Sequence, residues 1–213
     1  MSASAIEQGT PEWHALRAGK VTASRVADII RTTKSGVSAT RQRYLGELVA
    51  ERLTGQPTQR FKSPDMEWGT VTEEQARESY AFLSMAGDLR GIAFVDHPKI
   101  AMSGASPDRL VGESGLLEVK CPATHTHIAT LLGAPITPDY ITQMQWQMAC
   151  TERLWCDWVS FDPRLPEDMR LFVKRVARDD KRIAELEAEV IAFLAEVSDT
   201  VARLEKLYRQ EAA

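Results

Sequence analysis

Hydrophobic positions change period part-way along the chain. Over the first 85 residues they recur at helical spacing. Pro11 suits the first turn of a helix through Glu12, Trp13 and Leu16, which Gly19 breaks. Thr22 or Ser24 can then cap the short run Val26, Ile29, Ile30. Residues 32–39, TTKSGVSA, read as a polar loop. A helix through Tyr44, Leu45, Leu48, Val49 and Leu53 follows and stops at Thr54-Gly55. After a proline-containing loop, a third helix spans about 66–85, with Trp68, Val71, Ala76, Tyr80 and Leu83 as its inward positions.

Beyond it the runs shorten. IAFVDH (92–97), AMSGAS (101–106), LLEVK (116–120) and LWCDWVSFD (154–162) are bounded by Gly, Pro, Asp and Ser, as strands are. A helix over 139–151, entered through Thr137-Pro138, separates the last two. Residues 179–210 form one long helix, with Ile183, Leu186, Val190, Phe193, Val197, Leu204 and Leu207 at alternating 3-4 spacing and Thr200 in the missing place. Such a stripe serves either packing on its own domain or contact with a subunit or partner. The order predicts an α/β fold: a central mixed β-sheet flanked by helices, with a long C-terminal helix.

Length and composition fit this. A chain of 213 residues, 44% apolar and 26% charged, is long enough for one domain, 1–213, with a substantial core. No apolar stretch approaches a membrane span, and the N-terminus lacks the basic and apolar regions of a secretory signal. Three scattered cysteines, Cys121, Cys150 and Cys156, fit a reducing compartment, so the expected location is cytoplasmic. The net charge of −4 is unevenly spread: residues 13–62 hold ten Lys and Arg against three acids. That segment is either a phosphate-binding surface or a solvated basic face.

The candidate chemistry lies in SPDRLVGESGLLEVKCP (106–122). A hairpin centred on residue 113 places Asp108 opposite Glu118, with Cβ atoms roughly 4.5–5.5 Å apart. Facing carboxylates repel unless a cation lies between them. Side chains two apart share a strand face, so Lys120 stands beside Glu118 while Val119 turns inward. Two carboxylates, with a backbone carbonyl from Val119, suit Mg²⁺, and the lysine can orient or deprotonate an attacking water. The plainer alternative is a turn aspartate and a surface Glu-x-Lys ion pair.

The other motifs bear on that choice. EQGTPEWHALRAGKVTAS (7–24), WGTVTEEQA (68–76), the hairpin, YITQMQWQM (140–148) and FDPR (161–164) occur in the order of one family. The chain resembles the phage lambda exonuclease type of viral recombinase nuclease, within the PD-(D/E)xK superfamily, over roughly residues 6–180. The resemblance implies a restriction-endonuclease-like core and a Mg²⁺-dependent 5′→3′ exonuclease on double-stranded DNA, with Mn²⁺ as a substitute and two ions per site. It would release mononucleotides and leave a 3′-ended strand for recombination. Asp108 and Glu118 would bind metal with the Val119 carbonyl, Lys120 would be the catalytic lysine, Glu73 would serve a second metal or its waters, and Gln143 would steady the nucleophile. Arg17, with Thr22, Ser24 and Ser106, would take a 5′-terminal phosphate. Lys34 would contact DNA, and Met66 would act either as a wedge at the duplex end or in packing. A ring-shaped homotrimer and a single-strand annealing partner are implied in the same way.

Other readings stay open at this point. The same core could cut internally, as a repair or restriction endonuclease. Cys121, His125 and His127 with Cys150 or Cys156 could form a structural zinc site, although the C-x3-H-x-H spacing is irregular. Three cysteines are too few for a four-cysteine iron–sulfur centre. A DNA-end-binding module without catalysis would use the charge asymmetry but leave the Asp108 group without a purpose.

Overall fold

Local signals set most of the helix ends. The computed structural model describes residues 6–33, 36–58, 64–85 and 88–209, and the side chains at 64–66 and 70 lie outside that description. Thr10 caps α1 (Pro11–Arg17), its hydroxyl accepting from the Trp13 N–H at 3.3 Å. After β1 (Val21–Thr22) and a 3₁₀ turn comes α2 (Val26–Ile30), which has no side-chain cap. The expected cap from Thr22 or Ser24 is absent because Thr22 is held in a strand and Ser24 lies within the 3₁₀ turn. Residues 32–39 contain a small hairpin, β2 (Thr32–Thr33) and β3 (Gly36–Val37). Ser38 then caps α3 (Ala39–Thr54), which ends at Gly55 with φ +67°.

Helix α4 (Pro64–Ser84) leads to β4 (Leu89–Arg90), β5 (Val95–Asp96), β6 (Ser103–Ala105), β7 (Arg109–Val111) and β8 (Gly115–Lys120). Helices α5 (Thr124–Leu131) and α6 (Pro138–Thr151), strands β9 (Trp155–Phe161) and β10 (Leu171–Ala177), and α7 (Asp180–Tyr208) complete the chain. Among the described residues a five-stranded mixed sheet runs β10-β9-β8-β7-β4, parallel only between β8 and β9. The segments IAFVDH and AMSGAS contribute strands, but to a separate three-stranded sheet, β1-β6-β5. The reason is that β6 pairs parallel with β1, joining the N-terminal segment rather than the main hairpin.

Strand β8 organises the layers. Leu117 and Val119 meet Ala76 and Tyr80 of α4 on one face, while Leu116 meets Met144 and Met148 of α6 on the other. Glu118 shares the face of Leu116 and so lies beneath α6. The back of α6 presents Trp146 and Cys150 to a third layer built from α2, α3 and α7. There Ile183, Leu186, Val190, Phe193 and Val197 of α7 are buried, with Phe193 stacked on Tyr44 at 5.5 Å. The long helix therefore packs on its own fold, and Leu207 near its end is exposed.

Two inward assignments on α4 are corrected. Its buried stripe is Thr72, Ala76 and Tyr80, whereas Val71 and Leu83 are 76% and 65% exposed. One helix on a flat sheet buries only a narrow stripe, and these two flank it on the outer side. At the hairpin, the chain packs so closely that a Cβ on Gly115 would overlap the Trp155 indole.

Candidate active site

The register of β7 on β8 pairs Arg109 with Leu117, Leu110 with Leu116 and Val111 with Gly115, so Asp108 falls opposite Glu118. Regular pairing stops there, and Pro107 has no N–H to continue it. The Asp108 side chain takes over, and its Oδ2 accepts the Val119 N–H at 2.6 Å. A strand residue turns its N–H and C=O to the same edge, so the Val119 carbonyl faces Asp108 as well.

Glu118 is 1% exposed and enclosed by donors. Its Oε1 accepts from Lys120 Nζ and from Gln143 Nε2 at 2.6 Å, and its Oε2 accepts from Gln147 Nε2 at 2.7 Å. Lys120 also lies 4.8 Å from the centre of the Tyr140 ring. Burial pushes the Asp108 carboxyl well above the usual aspartate range, and Glu118 and Glu73 push it further. For Lys120, burial acts against the ammonium, but Glu118 and Asp108 outweigh it and hold the pKa above the ordinary lysine value. Lys120 is thus a positive group fixed beside the carboxylates.

These groups fit a divalent cation. Two facing carboxylates and a carbonyl form a hard, all-oxygen donor set, and the raised Asp108 pKa marks a site with too little positive charge of its own. Among the described residues, no three His, Cys, Asp or Glu side chains group to hold an ion. The Glu73 carboxylate pairs with Arg77 one turn along α4. Its charge reaches Asp108, Arg109 and Cys121, which places it at the rim of the site.

The three glutamines of α6 divide their work. Gln143 and Gln147, four apart on one helix face, both donate to Glu118. Gln145 faces the other way, donating to the Ala177 carbonyl and accepting from the Asp179 N–H. Gln147 is the site residue that sequence reasoning did not select; its i, i+4 relation to Gln143 was the available signal.

The N-terminal residues form a second group joined to the first. The Arg17 guanidinium stacks on Trp13 at 3.8 Å. Trp13 Nε1 donates to the Ala93 carbonyl at 2.9 Å and to Ser106 Oγ at 3.0 Å. Gln8 donates to the Ile92 and Pro107 carbonyls. Arg17, Trp13 and Ser106 thus lead directly to the loop that carries Asp108.

The other expected phosphate contacts are arranged differently. Thr22 is buried and its N–H donates to the Tyr44 hydroxyl, while Ser24 is exposed. Lys34 and the side chain of Met66 lie outside the described residues. Much of the basic excess is used internally: Lys20 pairs with Asp96, Arg25 with Asp28 and Glu47, Arg31 with Asp139, and Arg41 with Glu196.

Past the C-terminal ends of β8 and β9, Arg164 bonds both oxygens of buried Asp162 at 2.7 and 2.9 Å and stacks over Trp68 at 4.4 Å. It also donates to the Pro122 carbonyl, two residues after Lys120. His127, a member of the zinc alternative, has both ring nitrogens engaged, one by Ser160 Oγ and one by the Met169 carbonyl. Burial pushes the Cys121 thiol up to about 12, with Glu73 and Asp108 adding to it.

The fold agrees with that of known proteins. A profile of the YqaJ-like viral recombinase domain matches residues 12–154, which span both the Trp13–Arg17 helix and the Asp108–Lys120 hairpin. An alkaline exonuclease of Laribacter hongkongensis, LHK-Exo, is 49% identical, with a TM-score of 0.88 over 95% of this chain and 100% of that one. The same exonuclease in complex with dAMP matches equally. A phage-related exonuclease of Haemophilus somnus shares the fold at 16% identity, with a TM-score of 0.63 over 90% of this chain and 99% of that one. No curated protein matches the chain. With the profile covering most of its length and both residue groups, the chain belongs to the YqaJ-like viral recombinase domain family.

Proposed function

We propose that the chain is a divalent-metal-dependent exonuclease that degrades one strand of duplex DNA from its 5′ end, releasing mononucleotides. A nuclease acting on DNA is supported by the family and by the 49%-identical alkaline exonuclease. That relative's complex with dAMP fits release of deoxynucleoside monophosphates. One observation carries the assignment to this site: Asp108 and Glu118 face each other at a buried sheet edge with Lys120 beside them.

Asp108, Glu118 and the Val119 carbonyl would hold the cation, Mg²⁺ or Mn²⁺, and Glu73 would assist a second ion through its waters. A bound divalent cation supplies Lewis acidity to the scissile phosphate and the attacking water. Gln143 and Gln147 hold the Glu118 carboxylate in place. Lys120 orients or deprotonates the attacking water and stabilises negative charge as it develops on the phosphate oxygens. Arg17, oriented by Trp13 and Ser106, receives the 5′-terminal phosphate as a bidentate partner, with exposed Ser24 and with Lys34 as further contacts to the DNA end. The product strand is 3′-ended and suited to a single-strand annealing protein, and the enzyme works as a homotrimer in the cytoplasm.

The polarity is tested with linear duplexes carrying phosphorothioate linkages at the 5′ or the 3′ ends only. Protection by 5′ blocks alone is the expected result. Protection by 3′ blocks alone, or cutting of closed circular DNA, would overturn the end-directed 5′→3′ reading.

A further inference from the structure

Helix α1 carries both Trp13 and Arg17, yet none of its seven residues is buried. A helix this short does not hold itself in place, so the direction of Arg17 is set by what grips α1 from outside. Trp13, bonded to Ala93 and Ser106, is one grip. The other is a turn that begins at Arg17 itself. The Lys20 N–H donates to the Arg17 carbonyl at 3.1 Å, with Ala18 at φ −57°, ψ 130° and Gly19 at φ +70°, as in a type II turn.

Two successive residues of α3 close on that turn. Glu51 Oε2 accepts the Gly19 N–H at 2.7 Å, and Arg52 Nε donates to the Gly19 carbonyl at 3.1 Å. The Gly19 N–H belongs to the central peptide, whose flip converts type II to type I, so the bond to Glu51 fixes the turn type. Both clamp residues are anchored in turn: Glu51 Oε1 accepts the Thr58 N–H at 2.8 Å, and Arg52 Nη1 donates to Ser198 of α7 at 3.0 Å. Burial acts against the Arg52 charge, and its Nη2 is buried with no partner among the described residues. A methionine would fill the same space without that penalty.

We propose, on the assignment of Arg17 to the terminal phosphate, that Glu51 and Arg52 are positioning residues that aim Arg17 through the Arg17–Lys20 turn and so set the preference for a 5′-phosphorylated DNA end. A bidentate contact needs two guanidinium N–H groups in line with the phosphate oxygens. With the turn released, α1 tilts and one of the two bonds is lost.

The test measures nucleotide release in Mg²⁺ from matched duplexes with 5′-phosphate or 5′-hydroxyl ends, with kcat and KM separated. The ratio of kcat/KM on the two ends falls about tenfold in Glu51→Ala, mainly through KM, and Glu51→Gln, which keeps one oxygen for Gly19, recovers part of it. In an Arg17→Ala background, Glu51→Ala produces no further fall in the ratio. An unchanged ratio in folded Glu51→Ala, whether activity is kept or lost equally on both ends, overturns the proposal. Should Glu51→Ala not fold, Arg52→Met, which keeps the aliphatic packing, is held to the same criterion. Wild type without a preference, or Arg17→Ala that keeps it, overturns the phosphate assignment as well; a preference lost in Arg17→Ala alone overturns only the role of Glu51 and Arg52.

Discussion

Arg164→Met tests how the strand ends beside the site are held to α4. The substitution removes two charge-assisted bonds to Asp162, whose side chain is fully buried, and the stacking on Trp68. Burial acts to raise the Asp162 pKa, but bonds from Arg164 and Thr124 overcome it and hold the group at about 2. Against an unfolded value of about 3.9 this is worth roughly 2.6 kcal/mol at neutral pH. Thr124 and the Arg164 backbone N–H keep their bonds in the variant, and screening at the half-exposed side chain reduces its share further, to about 1 kcal/mol. Because the folded pKa is depressed, the stabilisation is present above the unfolded pKa and is lost as pH falls through about 2; at pH 3 roughly half remains. Urea unfolding followed by circular dichroism should show wild type ahead of the variant by about 1 kcal/mol at pH 7 and by about half of that at pH 3. Arg164→Lys should recover little, because one ammonium cannot span both oxygens. An equal gap at both pH values, or one that widens in acid, would refute the reasoning.

Other expectations follow from the same geometry. Tyr80→Phe removes a 2.7 Å bond to buried Asp157, which keeps its two bonds from Arg175, and should lower unfolding free energy by about 1–2 kcal/mol. Arg17→Ala should slow digestion of 5′-phosphorylated duplex while barely altering 5′-hydroxyl duplex; equal losses on both, measured side by side, would count against the phosphate contact. With Cys121 at about 12 and burial raising the Cys150 and Cys156 pKa values too, native protein at pH 8 should resist iodoacetamide, whereas urea-unfolded protein should be alkylated on all three thiols. Rapid labelling of the native form, seen by mass spectrometry, would contradict the burial.

The sequence was most informative where a few adjacent residues decide the outcome. Ser38 with Gly55, and Thr137 with Pro138, mark helix ends through caps that lie beside the helices they bound. The 108–118 pairing was legible because a tight turn fixes register by counting. What escaped depends on distant partners. Helix α5, with the sequence THTHIATL, has no side-chain cap and is held through buried His127 by Ser160 and Met169. β1, β4 and β5 are two residues each, too short for any period, and exist because another strand pairs with them. β10 reads apolar and charged by turns and carried a usable signal, but its role as the sheet edge is set by β9. In the site, Asp108, Glu118 and Lys120 were readable from one hairpin. The second amide on Glu118 depends on how α6 sits against the sheet.

The central claim is that Asp108 and Glu118 form a cation-dependent phosphodiesterase centre. Release of acid-soluble nucleotides from linear duplex DNA measures it most directly, comparing wild type with Asp108→Ala, with Mg²⁺ and with chelator. The account predicts steady release by wild type in Mg²⁺, none in chelator, and a loss of at least about a thousandfold in Asp108→Ala that retains the native fold. Undiminished release by Asp108→Ala, or release by wild type in chelator, would contradict it.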